Sequence, residues 1–281
     1  MLRRALATSC LLAALAPAAA AAAPSDLQLA YRFRPILLFD SQEPWRPLDV
    51  DAFLAEADHL ACPPAPAACA PLTGGAAQLT TAVDHLDLRG DGPPDSLGPT
   101  RVYAHVTRRA ARVAIDYWWF LRYNAYSLDR HEGDWEGVTV IADATGSRVR
   151  AVHFAAHADV WRYPADVPAL AGRRVRVYVS RGAHASYPRA CMRRCRQVEG
   201  TLPEARHDGR RPWPRNTAAA CRRRCVRLLP VGAQGEPASW NAWPGRWGVT
   251  TAPAFAAPRT PAFQRRCQHP FAAHATPRGA F

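Results

Sequence analysis

The chain has 281 residues, a formal net charge of +13 and no lysine, so every basic side chain other than histidine is arginine. After the first 23 residues no apolar run is long enough to cross a bilayer, so we expect no transmembrane segment. A basic surface favours anionic partners, either a lipid headgroup or a glycan. We expect no nucleic-acid partner, because no nucleic-acid module is recognisable.

The first 23 residues have the layout of a secretory signal peptide. Two arginines at positions 3 and 4 precede an apolar stretch that ends in several Ala-x-Ala frames before Pro24. We therefore expect a secreted, periplasmic or extracellular protein. N-terminal sequencing of the exported material should find a start close to Ala23 or Pro24, and an intact Met1 would contradict export by this route.

The predicted elements after residue 23 are mostly short strands joined by tight turns. In chain order they are a strand at 35–40, a helix capped by Asp49 with Val50, Phe53, Leu54 and Ala57 on one face, hairpins at 101–107/112–121 and 135–142/148–154, and a strand at 175–180. The region from about 188 to 230 is rich in Arg and Cys and is predicted to be an insertion with short helices. The pattern indicates a mainly β protein. We predict one antiparallel β-sandwich domain over 24–281, with a few short helices and this disulfide-bonded insertion.

Seven cysteines follow the signal peptide, and an exported chain favours disulfides among them. Cys62 and Cys69 flank a Pro-rich loop and are predicted to bond to each other. Two C-x3-C units follow, formed by Cys191, Cys195, Cys221 and Cys225. Cross-bridges between the units and direct bonds within each unit are both open, and a four-cysteine zinc site is the rival interpretation.

The densest polar cluster lies at the start of a predicted strand. Alternation puts the side chains of Asp134 and Glu136 on the face of Val138 and Val140, which turns inward. Two like charges at the mouth of a core are costly unless a cation, arginines or hydrogen-bond donors compensate them. We predict a metal site of His131, Asp134 and Glu136, with Mg or Ca rather than Zn. The alternative is a metal-free hydrogen-bonded network.

Further residues are candidates for ligand binding at the same mouth. They are Asn124, Asp129, His184 and Tyr187. The aromatic run from Tyr117 to Phe120 is instead assigned mainly to the core, with alternate side chains on opposite faces.

Three stretches of the chain resemble a known family. Its opening at 35–53, the stretch HEGDWEGVTV at 131–140 and GAHASY at 182–187 resemble the vacuolar protein sorting-associated protein 62-related family. The family's molecular function is poorly defined, so this resemblance implies a fold more than an activity.

A second resemblance is to the necrosis- and ethylene-inducing-like cytolysins. Their His-x-x-Asp-x-Glu signature falls on His131, Asp134 and Glu136. Gly133 replaces a histidine of that family, and the family's remaining acidic ligand falls near Asn124. This resemblance implies a divalent cation at the mouth of a β-sandwich, which engages a glycosylated sphingolipid headgroup.

Three functions follow as expectations. The first is a non-enzymatic binding protein that holds a cation or a polar lipid or glycan headgroup. The second is a metal-assisted hydrolase that uses the same carboxylates with His184 as the acid. The third is a cell-envelope structural protein with a metal-free polar network.

Overall fold

The computed structural model describes residues 22–55, 59–64, 68–88, 101–157, 159–167, 169–196, 203–213, 225–229, 240–250 and 256–275. Within these residues the fold is mainly β. The helices are α1 (Asp26–Arg32), α2 (Val50–Leu54) and α3 (Arg265–Gln268). None of the described helices is long and apolar enough to span a bilayer.

The described strands form three sheets. The strands are β1 (Ile36–Phe39), β2 (His59–Cys62), β3 (Ala70–Pro71), β4 (His85–Leu88), β5 (Val102–Arg109), β6 (Arg112–Asn124), β7 (His131–Asp143), β8 (Val149–Ala156), β9 (Asp159–Pro164), β10 (Leu170–Ala171), β11 (Arg174–Val179), β12 (Ser186–Tyr187), β13 (Arg211–Trp213), β14 (Val226–Leu228) and β15 (His274–Ala275). The largest sheet has the order β14-β5-β6-β7-β8-β9-β15, and the second has β10-β11-β1-β13 with β12 on β11. The third has the order β3-β2-β4.

The sheets are mixed, which corrects the expectation of purely antiparallel pairing. The strands from β5 to β9 form an antiparallel meander, as the two predicted hairpins require. Parallel pairing joins β1 to β11, β14 to β5 and β15 to β9. Alternation along the hairpins could reveal the meander, but it carries no information on which distant segment pairs at an edge.

The two faces of β6 bury different hydrophobic clusters. Tyr117 and Trp119 pack with β1 and β11 side chains in one cluster, whereas Trp118 and Phe120 belong to another. All four side chains are buried, so the assignment of this aromatic run to the core is confirmed. The first cluster joins the two larger sheets, and this packing holds the inward face of β7 against the segment that follows β11.

The structure confirms the helix start that was predicted from sequence and contains another that was not predicted. Asp49 caps α2 by accepting a hydrogen bond from the Asp51 amide, as predicted, while Ala57 lies outside the described residues. Helix α1 was not anticipated, although Ser25 and Gln28 form a capping box that the sequence displays. The short helices predicted for the insertion are wrong for its described parts, which contain strands and bridges instead.

The described cysteines are mostly oxidised. Cys62 bonds to Cys69 as predicted, and Cys191 bonds to Cys195, which selects the direct bond within that C-x3-C unit. Cys225 is also disulfide-bonded, and Cys221 lies outside the described residues. These bonds fit an oxidising compartment and leave no four-thiolate zinc site of the kind considered above.

Thiol counting under denaturing conditions should find about one free thiol per mature chain, consistent with an odd number of cysteines. Among the described residues Cys267 is the free cysteine. Burial raises the pKa of its thiol to about 12, so labelling should be slow in the native state and fast in denaturant. Five or more free thiols would contradict the disulfide assignment.

Candidate functional site

The candidate site lies where β6 and β7 open towards their connecting turn. Asp134 pairs with Leu121 and Glu136 with Trp119, and both partners lie in the cluster shared by the two larger sheets. Directly paired residues project to the same side of a sheet. The two carboxylates therefore face inward, on the face predicted from the sequence.

Gly133 changes the direction of the chain just before this pair. Its φ of +57° lies in the left-handed region that favours glycine, and it separates the paths of Glu132 and Asp134. The Glu132 carboxylate turns away and accepts hydrogen bonds from the amides of Leu88 (3.0 Å) and Val249 (3.1 Å). Glu132 is therefore buried, although it is an acid at the start of a strand.

A buried histidine joins two acidic residues at the centre of the site. The His184 Nδ1 lies 2.8 Å from Asp134 Oδ2, and its Nε2 lies 3.4 Å from Glu43 Oε1. Glu43 also accepts hydrogen bonds from the amides of Gly182 (2.6 Å) and Trp45 (3.0 Å). His184 has no exposed surface, so its ring contacts protein on both edges rather than solvent.

The charges of this group stabilise one another. Burial alone would lower the pKa of His184, but Glu43 and Asp134 outweigh it and raise the pKa to about 9. Burial would raise the pKa of Glu43, yet His184 and the two amides bring the pKa below its ordinary value. An imidazolium between two carboxylates is therefore the stable state near neutral pH.

Glu136 is the least compensated acid of the site. Burial raises the pKa of this carboxyl well above its ordinary value, and the negative charges of Asp134 and Asp129 raise it further, against the lowering effect of Arg266. The pKa of Asp129 is also raised, by burial and by Asp134. Three acids at one mouth thus repel one another, as the alternation argument anticipated.

A second hydrogen-bonded group lines the same region. The Tyr187 hydroxyl donates to Glu204 Oε2 (2.6 Å), and His157 Nε2 lies 2.7 Å from the same oxygen. Burial would lower the pKa of His157, but Glu204, Asp129 and Asp134 outweigh it and raise the pKa. Tyr187 was a candidate from sequence, whereas His157 was assigned to the surface or core without companions.

The remaining candidates occupy the rim. Asn124 is the last residue of β6, and its side-chain oxygen accepts a hydrogen bond from the Tyr126 amide (3.0 Å). His131 begins β7, and its Nδ1 lies 2.8 Å from the Gly133 carbonyl oxygen. The opposite ring nitrogen of His131 lies 3.9 Å from Asp129, which keeps partial exposure.

Carboxylate oxygens of the mouth are the ligand type that a hard cation prefers, but they do not lie close enough together to enclose one. Within the described part of the chain, the only three His, Cys or acidic residues whose ligand atoms all lie within 4.8 Å are Cys62, Cys69 and Asp87. Two of these are joined in a disulfide, so they are not a metal site. His131, Asp134 and Glu136 do not meet the same spacing.

Sequence reasoning missed Glu43 and Glu204 as members of the site. Both are buried acids: Glu43 lies 3.4 Å from His184 Nε2, and Glu204 accepts a hydrogen bond from the Tyr187 hydroxyl. Glu43 follows β1 and Glu204 lies in the Cys-rich insertion, so no local pattern links either one to β7. The sequence signal available for Glu43 was its position within the 35–53 segment, which resembles the vacuolar protein sorting-associated protein 62-related family.

Comparison with known proteins finds no matching family model and no matching curated protein. Several solved structures are similar. NLPPya in complex with mannosamine is 19% identical, with 66% of this chain and 71% of that chain covered and a TM-score of 0.39. The non-toxic HaNLP3 protein is 16% identical, with coverages of 69% and 79% and a TM-score of 0.40.

A third similar structure is Necrosis and Ethylene inducing Protein 2 from the causal agent of cocoa's Witches Broom disease. It is 18% identical, with 56% of this chain and 64% of that chain covered and a TM-score of 0.35. The chain is thus similar at low identity to necrosis- and ethylene-inducing toxin structures, and membership of the vacuolar protein sorting-associated protein 62-related family is not shown.

Proposed function

We propose that this chain is an exported, non-enzymatic binding protein. Its two larger sheets would form a sandwich, and the mouth at Asp129, Asp134 and Glu136 would hold a divalent cation or the polar headgroup of a lipid or glycan. The observation that supports this is the excess of acid at the mouth. Asp134 is matched by His184, while burial and mutual repulsion raise the pKa of both Asp129 and Glu136.

A ligand that brings positive charge or several hydrogen-bond donors would relieve this repulsion. Mg²⁺ and Ca²⁺ prefer carboxylate oxygens, which the mouth supplies. The spacing of the donors does not by itself define an ion position, because no three of them meet within 4.8 Å in the described residues. A headgroup with hydroxyl or amine donors therefore remains part of the same proposal.

The metal-free network is the second candidate, and specific contacts favour it. His184 already lies between Asp134 and Glu43, and the positive charge of Arg266 acts on Glu136. A hydrolase is less well supported, since the histidine proposed as its acid has no exposed surface.

Asp129→Asn is the variant that tests the cation. Asp134 is less suitable, since its loss also removes the His184 contact and destabilises the fold with or without a ligand. We expect Mg²⁺ or Ca²⁺ to raise the stability of the wild type by about 2.7 kcal/mol at a concentration of 100 times Kd. Asp129→Asn should lose most of this gain, as measured by calorimetric titration and thermal unfolding with and without chelator.

Asp166→Asn is the matched control, because Asp166 is an exposed acid in the turn after β9. This control should respond to the cations as the wild type does. If neither Mg²⁺ nor Ca²⁺ changes the stability of the wild type, the mouth does not bind these cations. Binding of a lipid or glycan headgroup that Asp129→Asn abolishes would then identify the headgroup as the ligand.

A further inference from the structure

A basic surface lies on the outer face of the largest sheet, away from the acidic mouth. Arg109 and Arg112 are exposed at the β5–β6 turn, and both guanidinium groups lie over the ring of Phe271. The distances from the guanidinium carbon to the ring centroid are 4.4 Å for Arg109 and 5.6 Å for Arg112. Cation–π contacts of this kind hold two positive charges side by side.

The pKa of His153, a buried histidine close to these arginines, indicates the sign of the local electrostatic potential. His153 lies in β8, where it pairs with Arg162 of β9. Burial lowers the pKa of His153, and the positive charges of Arg162, Arg266 and Arg112 lower it further, to about 4. The outer face therefore carries an excess of positive charge over this part of the sheet, and its histidine is neutral at physiological pH.

A cavity of about 380 Å³ adjoins the arginine pair. Phe271, which lies under the two guanidinium groups, also lines this cavity. The other lining residues include Arg265, His269, Glu136, Trp118 and Trp135. The cavity thus combines aromatic walls with polar rim groups, which is the usual lining of a small-molecule site.

We propose that this basic face, made of Arg109, Arg112, Phe271 and the adjoining cavity, binds an acidic oligosaccharide. The two guanidinium groups would pair with carboxylate or sulfate groups, and the cavity would receive a neighbouring sugar ring. Arg109 and Arg112 lie at the end of the β6–β7 hairpin away from Asp129, because Arg112 begins β6 and Asn124 ends it. Glu136 belongs to both the mouth and the cavity. The arginine pair therefore tests this proposal, and Asp129 tests the proposed function.

An oligosaccharide fits this face better than a membrane does. Insertion into a bilayer interface uses a cluster of exposed apolar side chains. In the described residues the exposed large apolar side chains are Leu27, Leu128, Met192 and Phe263, and none of them lines the cavity. A charged cavity with no exposed apolar cluster among its described lining residues favours a charged carbohydrate over a bilayer.

The test uses the full mature chain and a fluorescent oligogalacturonate as probe. We expect binding that weakens with salt, and a loss of about tenfold in affinity for Arg109→Gln/Arg112→Gln, since two charge-assisted contacts are removed. The matched control is Arg173→Gln/Arg176→Gln, which removes the same charge from exposed positions at β11 and should change affinity less than about twofold. An uncharged dextran oligomer should not bind.

Three outcomes would overturn the proposal. Equal losses in both double variants would show attraction by net charge alone. Wild-type binding to phosphatidylglycerol vesicles, without binding to oligogalacturonate or a sulfated oligosaccharide, would assign the face to lipid. Loss of probe binding in Asp129→Asn, with Arg109→Gln/Arg112→Gln unaffected, would move the glycan to the acidic mouth, so failure of this proposal is distinguishable from failure of the proposed function.

Discussion

Replacing His184 with asparagine should lower the free energy of unfolding by about 3–5 kcal/mol near pH 6.5, because two buried carboxylates lose the cation between them. His184 has a φ of +56°, and asparagine is among the residues that best tolerate this conformation. The change therefore tests the charge more than the backbone. Urea denaturation of the wild type and the variant measures the difference.

The raised pKa of His184 determines how the free energy of unfolding changes with pH. The folded pKa of His184 is about 9 and its unfolded value is near 6.5, so the stabilisation is complete below about pH 6.5. It is lost as the pH rises through about 9, and the gap between wild type and His184→Asn should narrow by on the order of 3 kcal/mol over this window. Glu43, whose pKa is lowered, contributes stability that is lost only as the pH falls through its own folded pKa.

His85→Asn is the control, since His85 contacts Asp84 at a partly exposed position. Its cost should be less than about 1 kcal/mol. A His184→Asn effect that stays constant from pH 6 to pH 10 would show that His184 is neutral in the folded protein. The triple replacement Glu43→Gln/Asp134→Asn/His184→Asn should be less destabilised than His184→Asn, because it leaves no buried charge unpaired.

Gly133→Ala should be similarly damaging. The left-handed φ costs about 1–2 kcal/mol for any residue with a Cβ, and this Cβ would also overlap the backbone carbonyl of Trp247. We expect a total loss of more than about 3 kcal/mol, measured by urea denaturation, together with release of the Glu132 contacts to Leu88 and Val249.

Gly172→Ala separates the backbone cost of the left-handed φ from the steric overlap of the added Cβ. Gly172 has nearly the same conformation, with a φ of +64°, but no atom lies within 4 Å of the added Cβ. Its cost should be limited to the backbone preference of about 1 kcal/mol. Equal costs at the two glycines would show that the chain around Trp247 yields freely, and would remove the steric part of the argument.

The parts of the fold that the sequence could predict are those set by short-range patterns. Alternation identified the β5–β6 and β7–β8 hairpins and the shared face of Asp134 and Glu136. The burial of Glu132 depends on Leu88 and Val249, whose amides donate hydrogen bonds to its carboxylate, and alternation along β7 gives no information on these distant partners. His184 was expected near the mouth, but a pattern of residues gives no distance to Asp134.

The missed parts are those that depend on distant segments. Glu43 and Glu204 reach the site from loops that have no pairing signal with β7. Arg266 has no sequence pattern that links it to β6, yet its guanidinium lies 3.5 Å from the ring centroid of Trp118 and donates a hydrogen bond to the Tyr117 carbonyl. Charge compensation inside a core is therefore visible only after tertiary structure is known.

The parallel pairing of β1 with β11 also fixes the order in which the chain can fold. Ile36 hydrogen-bonds alongside Arg176, so β1 has no strand partner in its sheet until residues beyond 170 have been synthesised. The meander from β5 to β9 closes short loops and can form first, whereas the early strand must wait for a long loop to close. The side chains of β1 can therefore be buried in their final place only after most of the chain has been synthesised.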